Sequence, residues 1–280
     1  MISVVIPTRD RPESLSRCLD RLAPGEQTLV RAEYEVIVTD DSDRNDTEER
    51  VRRDYPWVQW VPGPRKGPGA NRNSGVRQAR GDWLAFTDDD CVPSHEWLAA
   101  FTGAIHDRAK VYEGRTTCDQ GISSPLEEAP INQKGGLLWS CNFFIEINLF
   151  HQLQFDECFP FPYMEDNDFH ERLAGCGHVV AFTPNALVDH PPRRRRLGFA
   201  AGRYWESRVY FHYKHGLGAL TPTWLMLHIL RVRLADAAHC KVSSDTAVAI
   251  GSALLEAGYV FTHVAGWNRK FKATPRWRPH

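Results

Sequence analysis

The chain has 280 residues, 42% hydrophobic and 25% charged, which is ordinary for a soluble globular protein and outside the range of a disordered one. That length accommodates one large domain, or one domain with an appendage. The seven cysteines (Cys18, Cys91, Cys118, Cys141, Cys158, Cys176, Cys240) are odd in number and form no C-x-x-C pair, so a disulfide framework and a zinc site are both disfavoured. The net charge of −1 hides a division: residues 1–192 carry 19 Lys/Arg against 31 Asp/Glu, and residues 193–280 carry 15 against 4. Either the basic segment meets an anionic partner, such as a membrane surface or phosphate groups, or it packs on the acidic part.

In chain order, ISVVI begins at Ile2 and reads as a strand, with no signal peptide visible before it. A helix follows near Pro12, with Leu15, Leu19 and Leu22 on one face. YEVIVT is a second strand, Thr47 to Tyr55 a charged helix, and WVQWV a third strand. The Gly/Pro-rich loop Pro62 to Gly75 leads into a helix over Ala70 to Ala79. It lacks P-loop spacing, so a structural turn is the simpler reading. DWLAF is the fourth strand. This alternation predicts an α/β protein with a parallel sheet covered by helices, a fold in which ligands gather at the carboxyl ends of strands. Three polar clusters fall at those ends: Pro7-Thr8-Arg9-Asp10, Asp40-Asp41-Ser42-Asp43 and Asp88-Asp89-Asp90.

Three adjacent carboxylates repel one another unless a cation neutralises them, and hard oxygen donors suit Mg²⁺ or Mn²⁺ with a phosphate completing the shell. A solvated acidic turn is the alternative. Further on, SCNFFI reads as a strand, EINLFHQL as a short helix, and EDNDFHERLAGCG as a helix closed by glycine. Glu165 and Asp166 then fall in a first turn, where they either compensate the helix dipole or act as a general base beside a pocket.

In order, SVVIPTRDRPESLSRCL, EVIVTDDSD, GPGANRNSGVRQARGDWLAFTDDDCVP, SCNFFI…FDE, YMEDNDFHERLAGCGHVVAF and Asp189-His190 resemble the family 2 glycosyltransferases of GT-A fold. The resemblance covers about residues 1–192 and implies a GT-A nucleotide-diphospho-sugar transferase fold, a mostly parallel sheet flanked by helices, with a basic helical C-terminal appendage. It implies a catalytic domain over 1–192, with a nucleotide-binding half (1–117) and an acceptor half (118–192). By the same resemblance Pro7, Thr8, Arg9, Asp40 and Asp41 hold the nucleotide base, and Arg72 and Asn73 contact the nucleotide or its diphosphate. Asp88 faces the ribose or donor sugar, and Asp89 assists in binding the donor. Asp90, with Asp88 and His190, ligates Mn²⁺ or Mg²⁺. Asp166 is the implied catalytic base, with Glu165 and Asp168 supporting it or touching the acceptor. The reaction implied is inverting transfer from a nucleotide-diphosphate sugar, a UDP-sugar first, to a glycan or glycolipid, as in cell-surface polysaccharide synthesis. Two departures stand out: Met164 where the family often has Gly before the E-D pair, and D-x-D-D compressed to D-D-D followed by Cys91.

The resemblance fades over residues 193–280. Arg193-Arg194-Arg195-Arg196 opens this region and Arg269, Lys270, Lys272, Arg276 and Arg278 close it. A helix capped by Thr221 carries Trp224, Leu225, Leu227, Ile229 and Leu230. Residues 246–265 are long enough to span a bilayer, but Glu256, His263 and many small residues favour a packed helix. Peripheral contact with a membrane through an interfacial basic appendage, and packing on the catalytic domain or on a second subunit, are both open. The expected setting is cytoplasmic or at the inner face of the membrane, with a homo-oligomer allowed and no nucleic-acid partner. Three rival readings are weaker. A sugar nucleotidyltransferase would show a Gly-rich basic loop after the first strand, and an aspartyl phosphatase would have its D-x-D there. A silent nucleotide-sugar-binding or membrane-scaffold relative would not need the Glu165-Asp166 pair.

Overall fold

Strands and helices alternate from the second residue in the computed structural model, which describes residues 1–106, 109–238, 240 and 243–279. In order come β1 (Ile2–Thr8), α1 (Pro12–Asp20), β2 (Tyr34–Asp40), α2 (Asp46–Asp54), β3 (Gln59–Pro62), α3 (Pro68–Val76), β4 (Trp83–Thr87), β5 (Val92–Pro93), α4 (Trp97–Ala104) and β6 (Val111–Thr117). Then follow β7 (Glu127–Glu128), β8 (Asn142–Glu146), α5 (Ile147–Leu153), α6 (Glu165–Gly175), β9 (Val180–Asp189), β10 (Arg193–Arg194), α7 (Gly198–Gly202), α8 (Trp205–Lys214), α9 (Pro222–Ala238) and α10 (Ser244–Phe271). The chain divides into two units. One comprises Met1–Asp119, Pro130–Glu157 and Glu165–Pro191, the other Gln120–Ala129, Cys158–Met164 and Pro192–His280.

The first unit is an eight-stranded sheet ordered β3-β2-β1-β4-β8-β6-β9-β5. β3, β2, β1 and β4 run parallel, while β8 enters antiparallel between β4 and β6. Side chains alternate across this sheet, as strand geometry requires. Val4 and Ile6 of β1 and Phe144 of β8 face a core with Leu15, Leu19 and Trp97, whereas Val5, Phe143 and Ile145 face one with Phe150, Phe155 and Phe169. Both faces are therefore covered, which is why the strands read as continuous apolar runs. Gly75 has a packing reason: a Cβ there would lie 2.5 Å from Val5 Cγ1, so only glycine lets α3 sit this close to β1.

The second unit is helical. Trp205 and Val209 of α8, Leu225 and Ile229 of α9, and Val260, Val264 and Trp267 of α10 form its core. A capping box of Ser243 and Thr246 opens α10, and Thr221 Oγ1 accepts the Trp224 N–H at 3.3 Å. The four-arginine run is tied inside this unit. Arg193 pairs with Glu128 at 3.3 Å, Arg195 with Asp236 at 2.7 Å, and the Arg196 guanidinium lies 4.4 Å from the Tyr204 ring centre. An antiparallel β7–β10 ladder supports that arrangement. These three arginines are thus accounted for by contacts within their own unit, an arrangement neither reading of the basic segment specified. α10 differs from the packed helix expected: one face is buried, while Val248, Leu254, Leu255 and Phe261 on the rest of its surface stay exposed.

Candidate active site

The parallel register sets Thr8 beside Asp40 and Asp40 beside Pro62, so the ends of β1, β2 and β3 share one edge. Each acidic residue at this edge has a distinct partner. Asp40 is buried and spent on structure, accepting from Ser42 N at 2.8 Å and Trp60 Nε1 at 3.2 Å. Asp41 accepts from the amides of Arg65 (2.8 Å) and Gly67 (3.3 Å), so it shapes the Pro62–Gly75 loop. Burial raises its carboxyl pKa against those two donors. Pro7 lies buried inside β1, and Arg9 is exposed beside Asp10 and Asp43.

The aspartate triplet points three ways. Asp88 pairs with Arg72 of α3. Asp89 is turned inward, bonded to Thr8 Oγ1 at 2.7 Å and Arg11 Nη1 at 3.1 Å. Its pKa is pushed up to about 7, first by burial and then by Asp90, with Arg11 and Thr8 opposing. Thr8 and Asp89 thus join the ends of β1 and β4. Asp90 meets Arg11 Nη1 at 2.9 Å on one oxygen and His190 Nε2 at 3.3 Å on the other.

His190 is fully buried at the end of β9. Its Nδ1 lies 2.9 Å from the Pro191 carbonyl oxygen, which can only accept, so Nδ1 carries a proton and any ligation by this ring falls to Nε2. That atom has no hydrogen-bond partner, although Asp90 is its neighbour. Whenever Nε2 is unprotonated its lone pair faces the carboxylate, and a cation between the two would join them. The ligand atoms of Asp90, Cys91 and His190 fall within 4.8 Å of one another. The Cys91 thiol bonds Cys141, and burial raises its pKa, so it stays protonated and is a poor donor to a hard ion. Carboxylate and imidazole fit a divalent cation such as Mn²⁺, and Asp90 and His190 are the residues that would hold it.

Arg72 is buried at 3% exposure, its guanidinium 5.6 Å from the Phe155 ring centre. Nη2 serves Asp88, while Nε and Nη1 have no partner. Unpaired N–H groups on a buried guanidinium leave it able to bind an anion. Its neighbour Asn73 is different. The Asn73 amide donates to Phe155 O (2.9 Å) and Glu157 Oε1 (3.0 Å) and accepts from Phe155 N (3.0 Å). With both donor hydrogens committed, it ties α3 to the chain after α5. Asp168 likewise pairs with Arg172 at 2.8 Å, fully buried, and not with an acceptor.

At the start of α6, Asp166 accepts from Ser140 N (3.2 Å) and Ser140 Oγ (3.1 Å), both on Oδ2. Oδ1 is buried with no partner. Burial raises the Asp166 pKa, opposed by Arg72 and by the Ser140 donors. Glu165 is pushed up to about 8 by burial and by Asp166, with Arg72 opposing. One oxygen held and one bare is the arrangement a general base needs. Met164, directly before the pair, has φ +75°, a conformation that suits glycine. The departure from the family pattern therefore keeps the turn at the cost of about 1 kcal/mol of strain.

Three contributors escaped sequence reasoning. Arg11 and Ser140 carry no local signal, being one arginine beside a proline and one serine in a loop. Glu113 of β6 accepts from Asn132 Nδ2 (2.8 Å), Leu137 N (3.1 Å) and Leu138 N (2.8 Å), and from the Gly136 amide, and so orders the loop that leads to Ser140.

A mostly parallel sheet with polar residues gathered at the strand ends is the GT-A fold of glycosyltransferases. Residues 3–164 match the family model for glycosyl transferase family 2, and the chain belongs to that family. It is 27% identical over 206 residues to the glycosyltransferase AglE of Haloferax volcanii, covering 69% of this chain and 67% of AglE. It is 33% identical over 130 residues to the poly(ribitol-phosphate) beta-glucosyltransferase of Bacillus spizizenii, but spans only 20% of that protein. Among solved structures, Staphylococcus aureus TarS 1–349 with UDP-GlcNAc aligns at TM-score 0.54 and 18% identity, over 97% of this chain and 76% of that one. The mannosyltransferase PcManGT of Pyrobaculum calidifontis, with GDP-Man and Mn²⁺, aligns at 0.57 and 15%, over 99% and 76%. These two likenesses concern the fold.

Proposed function

We propose that this glycosyltransferase is metal-dependent and inverting, moving a sugar from a nucleotide-diphosphate donor to a hydroxyl of a glycan or glycolipid. The supporting observation is the buried His190 Nε2, bare and 3.3 Å from Asp90. A divalent cation held there neutralises charge on the leaving diphosphate when bound. Arg72, with Nε and Nη1 unpartnered, stabilises the same anion, and Asp41 reads the base from its loop. Asp166 Oδ1 takes the acceptor's hydroxyl proton. The freed oxygen forms its bond to the anomeric carbon as the diphosphate leaves from the opposite face, and configuration inverts. A UDP-sugar is the first donor to test, because the TarS structure carries UDP-GlcNAc; the GDP-Man of PcManGT makes a guanosine donor the second.

A thermal-shift screen of nucleotide diphosphates with and without Mn²⁺ tests the donor and the metal together, since a ligand at 100 times its Kd adds about 2.7 kcal/mol. One nucleotide should stabilise the protein in an Mn²⁺-dependent way, and Asp90→Ala should remove that dependence. Asp166→Asn should lower turnover by about 1,000-fold or more while nucleotide affinity stays within a few-fold. Near-normal turnover would remove Asp166 as the base.

A further inference from the structure

Exposed apolar side chains are unevenly distributed. Of 19 large ones among the described residues, 13 lie in the second unit, well under half the chain. α10 accounts for five: Val248, Ile250, Leu254, Leu255 and Phe261, between 39% and 59% exposed. The opposite face packs through Ala257, Val260, Val264 and Trp267. Between Asp245 and Arg269 the helix has one Asp, Glu, Lys or Arg, and that residue, Glu256, points inward. It is 1% exposed and bonds Trp205 Nε1 at 2.7 Å and Arg233 Nε at 3.0 Å. For some six turns, about 35 Å at 1.5 Å per residue, the outer face therefore carries none of these charges. Apolar patches of that kind mark an interaction surface.

Two observations identify the occupant. Beyond the apolar face, Arg269, Lys272, Arg276 and Arg278 are exposed and have no carboxylate within salt-bridge distance among the described residues. The unit as a whole has 15 Lys/Arg against 6 Asp/Glu, a net of +9. A second copy would set +9 against +9, whereas an anionic lipid surface offers the opposite charge together with an apolar interior. The inward Glu256–Arg233 pair and the packed face exclude a helix surrounded by lipid on all sides.

We infer that the outer face of α10 docks in the plane of an anionic bilayer, with Leu254 and Phe261 entering the headgroup–acyl boundary and the terminal arginines meeting lipid phosphates. The surface is thus the helix face and the end of the chain, not the Arg193–Arg196 run. The inference is independent of the donor, metal and base proposed above.

Co-sedimentation of the full chain with phosphatidylglycerol vesicles and with pure phosphatidylcholine vesicles tests it. Binding should favour the anionic vesicles and weaken in 0.5 M salt. The double variant Leu254→Asp/Phe261→Asp should bind on the order of 10-fold less or weaker. Replacing Arg269, Lys272, Arg276 and Arg278 by Gln should remove the anionic preference. Unchanged circular dichroism and thermal midpoint keep a folding defect from imitating the result, since these side chains are exposed. No sedimentation with either vesicle would overturn the inference, as would equal binding by the double variant or by neutral vesicles. A light-scattering dimer that the double variant splits, without vesicle binding, would assign the face to a second copy instead.

Discussion

Replacing Glu113 by Gln perturbs a buried carboxylate without changing its shape. Its Oε2 takes three donors, Asn132 Nδ2, Leu137 N and Leu138 N, and its Oε1 takes the Gly136 amide. A glutamine has one oxygen for these four N–H groups. In the better orientation the three donors keep an acceptor, and the new NH₂ faces the Gly136 N–H, donor against donor. One charge-assisted bond is lost and the new NH₂ is left facing the part-buried Gly136 N–H, at a cost of roughly 2–3 kcal/mol. In a protein of this size that corresponds to a fall of about 4–12 °C in the thermal midpoint, read by circular dichroism or differential scanning fluorimetry. The loop from Asn132 to Leu138 leads directly to Ser140, so turnover should fall together with stability. A midpoint within about 1 °C of the parent would refute the reasoning, because the four contacts would then carry no net weight.

Ser140→Ala removes the Oγ donor from Asp166 and keeps the backbone one. A hydrogen bond to a charged group contributes about 1.5–3 kcal/mol, so kcat should fall on the order of 10- to 100-fold. The role proposed for Asp166 requires its ionised form, and Ser140 opposes the rise that burial imposes. Losing the donor should move the acidic limb of the kcat profile to higher pH; an unmoved limb would mean that Ser140 merely packs. Arg11→Met frees Asp89 and Asp90 from a guanidinium that is itself half exposed. Mn²⁺ affinity, titrated calorimetrically in the presence of the stabilising nucleotide, should rise several-fold, in keeping with about 1 kcal/mol for a solvent-screened pair. An unchanged or weaker affinity would show that Arg11 does not compete with the cation.

Arg11 also separates two kinds of legibility at the site. The triplet is conspicuous because three carboxylates in a row repel wherever they fall, and such chemistry shows without coordinates. Its division of labour does not show, because Asp88, Asp89 and Asp90 differ only in which partners the fold brings to them: Arg72 from α3, Thr8 from β1, and His190 from β9, a hundred residues away. Asn73 makes the same point in reverse. Adjacent to Arg72 in the chain, it points elsewhere because successive positions on a helix face different directions, and its amide bonds Phe155 and Glu157.

Local pattern alone determined that the first half alternates strand and helix, that polar groups collect at strand ends, and that an acidic pair opens a late helix. Those features rest on period, turn chemistry and charge, all short-range along the chain. Tertiary structure decided which carboxylate faces the imidazole, which is held by Ser140, and which is spent on the fold. It also decided the fate of the basic tail: Arg193, Arg195 and Arg196 find partners within their unit, while one face of α10 finds none. Most of these pairings join residues far apart in sequence, as Asp90 and His190 are, and no short window along the chain contains both members.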